Sequence, residues 1–425
     1  MNKYNTIIIP LLSCISFSSQ SESLQNIANI ALKNDYNIEI LKNNYLIELE
    51  KNNEIKGNYL PQVGLSGSVY ENFYEKDKNN KEYSNATNAN IGINLSYDLY
   101  DGAEEFYKKI QDNQTKISYN NYMKYKQELT YNVSKIYYNI LANKKILEVE
   151  NENKKAVQKE YEKIKNMVEV GLRTNADLAE TQADLDLSIA SILSAENNLK
   201  NSLVNLFLYT GIENIQPDDV DYKTHKKNLE DLGYDYWMKI LQENNFDIKN
   251  SKILKDISKD NIKLNQTEDD FKVKVKSTLS SNYNNRYVDE FESQADIGFQ
   301  IDLPIYNGGT TNSKVEQSRI DFVNTSVKQD LLNRQLIPQL RNLINDLESI
   351  DSQVEALKAS VKSTQKSLEV VQEGYNVGIR DIVDVLDANT KYYVSLKNLS
   401  NAQYDYLFKQ NELLYLTGML NINNL

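Results

Sequence analysis

The chain of 425 residues carries one pattern twice. Ile91-Gly92-Ile93-Asn94-Leu95-Ser96-Tyr97-Asp98-Leu99-Tyr100-Asp101-Gly102 returns as Ile297-Gly298-Phe299-Gln300-Ile301-Asp302-Leu303-Pro304-Ile305-Tyr306-Asn307-Gly308. Val170-Gly171-Leu172-Arg173 returns as Val377-Gly378-Ile379-Arg380, and Thr210-Gly211 as Thr417-Gly418. Three landmarks that keep register to within one residue mark an internal duplication, which must be settled before any fold is assigned. The halves run over 22–212 and 238–420, joined by a connector at 213–237 and followed by a short tail at 421–425.

Each half holds two strand-like segments, at about 62–73 and 89–100 and at about 271–284 and 293–305. In 91–99 the odd positions are Ile, Ile, Leu, Tyr and Leu, and the even ones Gly, Asn, Ser and Asp. Phe271, Val273 and Val275 alternate in the same way with Lys272, Lys274 and Lys276, as do Val63, Leu65 and Val69 with Gln62, Ser66 and Ser68. Period two over ten residues suits a strand with one apolar and one wet face, in a soluble sheet or in a membrane barrel. Four strands cannot close a barrel, because the smallest need about eight. If the apolar faces meet lipid, the edges must pair with further copies of the chain. Two copies give eight strands around a filled interior, and three give twelve around a pore. The tract 74–88, rich in Asn, Lys and Glu, reads as a surface loop.

The rest is helical. Gly (14) and Pro (5) are scarce, against a usual Gly share of roughly 7%. Leu178, Leu185, Ile189, Ile192, Leu199, Leu203 and Leu206 recur in steps of three, four and seven, and Val385, Tyr392, Leu396, Leu399, Tyr406 and Leu413 follow suit. That is a coiled-coil-like seam. A continuous helix between Gly102 and Gly171 reaches about 100 Å at 1.5 Å per residue. Gly171 and Gly378 punctuate helix-helix turns as C-cap glycines. Thr174 with Asp177, and Asp381 with Asp384, form capping-box variants. Asp384 and Asp387 share one helix face and repel, so capping alone does not account for both. The connector, with its charged Lys223-Thr224-His225-Lys226-Lys227 run, reads as solvated and is expected outside the helical wall.

Residues 1–21 read as an export signal: Lys3 is the charge, 7–12 the apolar stretch and Ser19-Gln20-Ser21 the cleavage site. A rival reading makes Leu11-Leu12-Ser13-Cys14 a lipoprotein site acylated at Cys14. No segment approaches the roughly 20 apolar residues of a spanning helix. A net charge of −12 disfavours nucleic acid. His225 is the only histidine, so neither a His-based catalytic triad nor a multi-histidine metal site can be assembled; no enzyme activity, cofactor or resident metal is expected.

The chain resembles the TolC family of bacterial outer-membrane channels. The resemblance rests on Leu303-Pro304-Ile305-Tyr306-Asn307-Gly308-Gly309, on Gly374-Tyr375-Asn376-Val377-Gly378-Ile379-Arg380-Asp381-Ile382-Val383-Asp384-Val385-Leu386-Asp387-Ala388, and on the first tip around Val170-Gly171-Leu172. It implies an α+β membrane protein: a homotrimer with a 12-stranded β-barrel, four strands per protomer, continuous with a long antiparallel α-helical barrel. Its place is the outer membrane, extending into the periplasm. Its implied partners are outer-membrane lipid, a periplasmic adaptor and an inner-membrane transporter of the RND, MFS or ABC class. Its work is efflux of drugs or type I secretion of proteins through an iris at the periplasmic end. The resemblance assigns Asp384 and Asp387 to a constriction ring open to multivalent-cation block, and Asp177, Tyr375 and Arg380 to gate bonds. It makes Val170, Gly171, Leu172, Val377, Gly378 and Ile379 adaptor-docking tips. Ala176 stands where the family has a hydroxyl, which leaves Arg380 fewer partners, and Glu160 and Gln372 exchange a carboxylate–amide pair.

Overall fold

The computed structural model describes residues 21–75, 83–213, 215–284 and 288–425. The export signal up to residue 20, Cys14 and residues 76–82 of the Asn-rich loop lie outside the described residues. The strands are β1 (Ser21–Glu22), β2 (Gln62–Glu75), β3 (Tyr83–Tyr100), β4 (Gln216–Pro217), β5 (Lys272–Asn284) and β6 (Val288–Asp302). The helices are α1 (Leu24–Asn34), α2 (Tyr36–Asn58), α3 (Glu104–Glu169), α4 (Asn175–Thr210), α5 (Tyr222–His225), α6 (Tyr234–Asn244), α7 (Phe246–Gln266), α8 (Thr310–Asn376) and α9 (Ile382–Leu416). The order β2-β3-α3-α4 recurs as β5-β6-α8-α9. No described helix is long and apolar enough to cross a membrane.

The chain divides into two compact units, each drawing on both halves of the sequence. Residues 37–124 and 242–337 form one, which contains an antiparallel sheet of order β2-β3-β5-β6. Its register places the alternation of all four strands in phase. Leu65 faces Ile93, Ile93 faces Leu279 and Leu279 faces Ala295; Val63, Leu95, Ser277 and Ile297 form the next row. One face is therefore apolar, and it is bare: Leu65, Val69, Ile297 and Phe299 are each about three-quarters exposed. The other face is polar and bonded laterally through Asn94 to Ser66 (3.1 Å), Asn284 to Asn88 (2.7 Å) and Asn90 to Asn282. The outer edges of β2 and β6 have no strand neighbour.

Two details depart from simple alternation. The hairpin pairing runs on to Glu75 opposite Tyr83, through residues whose composition reads as loop, because a regular register propagates through polar residues once it is set. Between Asp98 and Tyr100 the register slips, so that Tyr97 faces Val275 and Tyr100 faces Val273. The bulge returns Tyr100 to the apolar face, where its ring stacks on Phe271 at 4.8 Å.

The described residues of 21–36, 125–241 and 338–425 form the second unit. Its core gathers Ile27, Leu129, Tyr137, Ile140, Leu206, Leu340, Leu347 and Leu413, all buried. The connector is exposed along most of its polar length yet anchored at Tyr222, Glu230 and Trp237. The Tyr406 hydroxyl donates to both Glu230 carboxylate oxygens (2.7 and 2.9 Å), and Tyr222 donates to Asp351 (3.3 Å), which also pairs with Lys226. A buried carboxylate needs such donors, since water cannot reach it.

Two tests follow from this unit. Tyr406→Phe leaves the Glu230 carboxylate buried and short of its donor, a loss of about 1.5–3 kcal/mol seen as a lower denaturant midpoint. Adding Glu230→Leu recovers part of it; a neutral Tyr406→Phe contradicts the assignment. Burial pushes Tyr131 and Tyr138 up to about 12 and raises Tyr137 and Tyr222 as well. Their folded-state values lie above the unfolded one of about 10, so their stabilisation is whole below pH 10 and is lost as pH rises toward 12. The thermal midpoint in detergent should fall across that window, while a subset of tyrosines resists ionisation in the 295 nm titration.

Candidate functional site at the helix-hairpin tips

The two helix-helix turns of the second unit share one backbone solution. Gly171 and Gly378 sit at φ +72° and +79°, a region that side chains with a Cβ rarely enter. Leu172 N–H reaches Met167 C=O (2.8 Å) and Gly171 N–H reaches Val168 C=O (3.0 Å); Ile379 to Gly374 (2.9 Å) and Gly378 to Tyr375 (3.1 Å) repeat the pattern. Both α3 and α8 thus end in a Schellman motif. At the apices the four apolar side chains of Val170, Leu172, Val377 and Ile379 are 69–80% exposed.

The following helices start differently. Thr174 and Asp177 close a complete capping box: the Thr174 hydroxyl accepts from Asp177 N–H (3.2 Å) and the Asp177 carboxylate accepts from Thr174 N–H (3.1 Å). At the second tip Asp381 accepts from Asp384 N–H (2.9 Å), while the Asp384 carboxylate turns to Arg380 at 3.5 Å. One turn on, Asp387 pairs with Lys391 at 2.6 Å. The two acids that repel in the sequence therefore each have a counter-charge four residues away on their own face. These pairs are half-exposed, so each contributes only a few tenths of a kcal/mol.

Behind the tips the helix pairs pack on a small core of Ile164, Tyr375, Ile382, Val385 and Leu386, with Val168, Leu178 and Val371 at its margin. Tyr375 is 3% exposed. Its hydroxyl makes no hydrogen bond of good geometry, and burial raises its pKa against the pull of Arg173. The Arg173 guanidinium lies 4.6 Å from the Tyr375 ring centre and the Lys163 ammonium 4.9 Å, both within cation–π range. Lys163 also donates to Asn376 (2.8 Å) and stands 4.0 Å from Glu160, one of whose carboxylate oxygens is buried without a hydrogen bond. The Arg380 stem folds over Gly374, where an added Cβ would come within 2.9 Å of Arg380 Cγ.

Of the residues that the sequence singles out, the structure brings Arg380 to Asp384 and leaves Asp177 in its cap. The cation nearest the Tyr375 ring is Arg173. Sequence reasoning passed over Arg173 as a site residue, although the duplication makes it the counterpart of Arg380. Lys163 and Gly374 carried no pattern that could have found them, whereas Lys391 stands four residues after Asp387.

Comparison with known proteins identifies the family and the fold. The family described as outer membrane efflux protein matches residues 56–212 and 237–419. The chain is 28% identical over 446 residues to outer membrane protein TolC of Escherichia coli (strain K12), spanning 100% of this chain and 88% of that one. It is 22% identical over 307 residues to the alkaline protease secretion protein AprF of Pseudomonas aeruginosa, spanning 69% and 62%. The fold superimposes on the Campylobacter jejuni CmeC outer membrane channel with a TM-score of 0.80 at 18% identity, covering 98% and 94%. With more than half of its length matched, the chain belongs to the outer membrane efflux protein family and is a TolC-family protein of the outer membrane.

Proposed function

We propose that the chain is the exit duct of tripartite efflux pumps or type I secretion systems, acting as a homotrimer. The observation that carries this is the four-stranded sheet with one bare apolar face and two open edges. Such edges template further pairing unless they are closed. Three copies joined β6 to β2 form a closed 12-stranded barrel, its apolar face toward lipid and its polar face toward a pore. Residues 1–21 serve as the export signal, and the two halves, 22–212 and 238–420, supply equivalent strand pairs and helix hairpins around the connector 213–237. The α3–α4 and α8–α9 hairpins make the periplasmic helical barrel. The exposed apices Val170, Gly171, Leu172, Val377, Gly378 and Ile379 receive an adaptor, which couples the duct to an inner-membrane transporter of the RND, MFS or ABC class. The chain itself catalyses nothing. The reading fails if the purified protein is a monomer indifferent to detergent; a crosslinkable trimer that conducts in planar bilayers supports it.

The gate sits at the tips. Asp384 and Asp387 of three subunits form the constriction ring, and Arg173 over the Tyr375 ring ties the helix pairs together, while Asp177 caps α4 and Arg380 steadies Asp384 within its own tip. Replacing Asp384 and Asp387 together by Ala should weaken block by a multivalent cation about tenfold, roughly 1.4 kcal/mol, and lower cation preference. Unchanged block removes the ring. The relative strengths of the latch contacts give a second test. A largely desolvated cation–π contact is worth about 0.5–2 kcal/mol, so Arg173→Ser should raise the open population about 2- to 30-fold per subunit. The exposed Arg380–Asp384 pair is worth less, so Arg380→Ser should raise single-channel conductance less than Arg173→Ser. The reverse order would return the main latch to Arg380.

A further inference from the structure

All the lysines and arginines among the described residues of the four-stranded sheet fall on one strand and one face: Lys272, Lys274 and Lys276 at alternate positions of β5. They occupy the end of the sheet where its strands meet helices, within about 13 Å of one another along the strand. Two are neutralised. Lys272 pairs with Asp101 at 3.1 Å and Lys274 with Asp98 at 3.2 Å. Asp302, opposite Lys272, is held by Gln300 through two 2.9 Å bonds.

Lys276 differs. Its row across the sheet is Gln62, Ser96, Lys276 and Gly298, so it is the only charge in that row. Its side chain is exposed, and among the described residues it forms no ion pair. Asp98 and Asp296 each stand one row along on a neighbouring strand, Asp98 held by Lys274 and Asp296 opposite Thr278. The space beside Lys276 is open, because at Gly298 and at Gly64, one row along on the same face, a Cβ would meet nothing within 4 Å. A strand needs no exposed, unpaired cation flanked by glycine for its own stability, since Gly weakens a strand interior.

We infer that Lys276 is a permeant-facing anion site at the inner end of the barrel, a cationic collar that draws anionic solutes carrying carboxylate, sulfonate or phosphate groups. The inference rests on the trimeric barrel proposed above, with the polar face inward. Three copies place three unneutralised ammonium groups on one level of the pore wall. Asp296 and Asp302 share the face, so each ammonium acts by close contact with a passing anion, and the contact weakens as the Debye length falls from about 30 Å at 0.01 M salt to about 3 Å at 1 M.

The test uses the full-length trimer in planar bilayers, with Asp384 and Asp387 replaced by Ala so that the tips do not dominate. Hexacyanoferrate(III), a trivalent anion, is added on the barrel side. At 0.01 M salt it should reduce conductance, and it should do so far less at 1 M. Lys276→Ser should abolish the reduction, and Lys276→Glu should shift the reversal potential toward cations. Lys274→Gln together with Asp98→Asn, which removes one charge of each sign, should leave the trivalent-anion block in place. Block and reversal potential unchanged in both Lys276 variants, with conduction intact, overturn the collar alone. A chain that forms no conducting trimer overturns the duct and the collar together.

Discussion

The structure turns on a sheet that is unfinished within a single chain. A side chain such as Leu, Ile or Phe is worth about 1.5–3 kcal/mol when it leaves water. Val63, Leu65, Val69, Phe73, Ile297, Phe299 and Ile301 all stand on the apolar face more than two-thirds exposed. Together they withhold an amount comparable to the 5–15 kcal/mol that ordinarily separates a folded domain from its unfolded chain. No water-soluble form of this sheet is economical, and a lipid environment removes the deficit. The open edges of β2 and β6 impose the second condition, because a strand edge inside a bilayer has no water to satisfy its N–H and C=O groups. In the proposed trimer, lipid on the face and another copy at the edge are two answers to one geometry.

The helix hairpins show how duplicated parts diverge without losing their backbone. Both tips keep the same Schellman turn around a left-handed glycine. The side chains around it have been reassigned. In the first half the cap is closed on both sides, so Asp177 is spent on its own helix start. In the second half Asp384 is released from reciprocal capping and meets Arg380. The paired arginines likewise part company: Arg173 lies over a buried aromatic ring, and Arg380 stays half in water. A charge over a ring shielded from solvent is screened less than a surface pair. In the proposed gate, the asymmetry therefore concentrates holding strength at the first tip.

Much of this was legible in the sequence for a stated reason. Period-two alternation and a repeat held in register are properties of the chain alone, and they located four strands and two tips near Gly171 and Gly378. The bulge at Asp98 was not legible, because Leu99 and Tyr100 are both apolar enough to continue either phase. The pairing of Asp384 with Arg380 and of Asp387 with Lys391 was open to an i,i+4 reading, but attention to the like-charge spacing hid it. The Glu230–Tyr406 bond joins residues 176 positions apart and has no local pattern at all. Contacts that depend on packing between distant helices appear only once the helices are placed.

The seam between α3 and α9 bears on how such a hairpin bundle can move. Glu150 is buried and paired with Lys397 (2.7 Å), and Asn389 donates to Asn153 (2.7 Å); between α8 and α9, Thr364 meets Ser395 at 2.9 Å. Apolar residues of the same size would often stabilise these positions as well or better, since a buried ion pair gives back much of its attraction in desolvation. What polar pairs add is discrimination: one register satisfies them, and a neighbouring register leaves a charge or an amide unmet. A wall held by a few register-setting bonds has discrete alternative packings rather than a continuum. That is the physical condition for a duct that holds one closed arrangement and yields to a partner's binding energy.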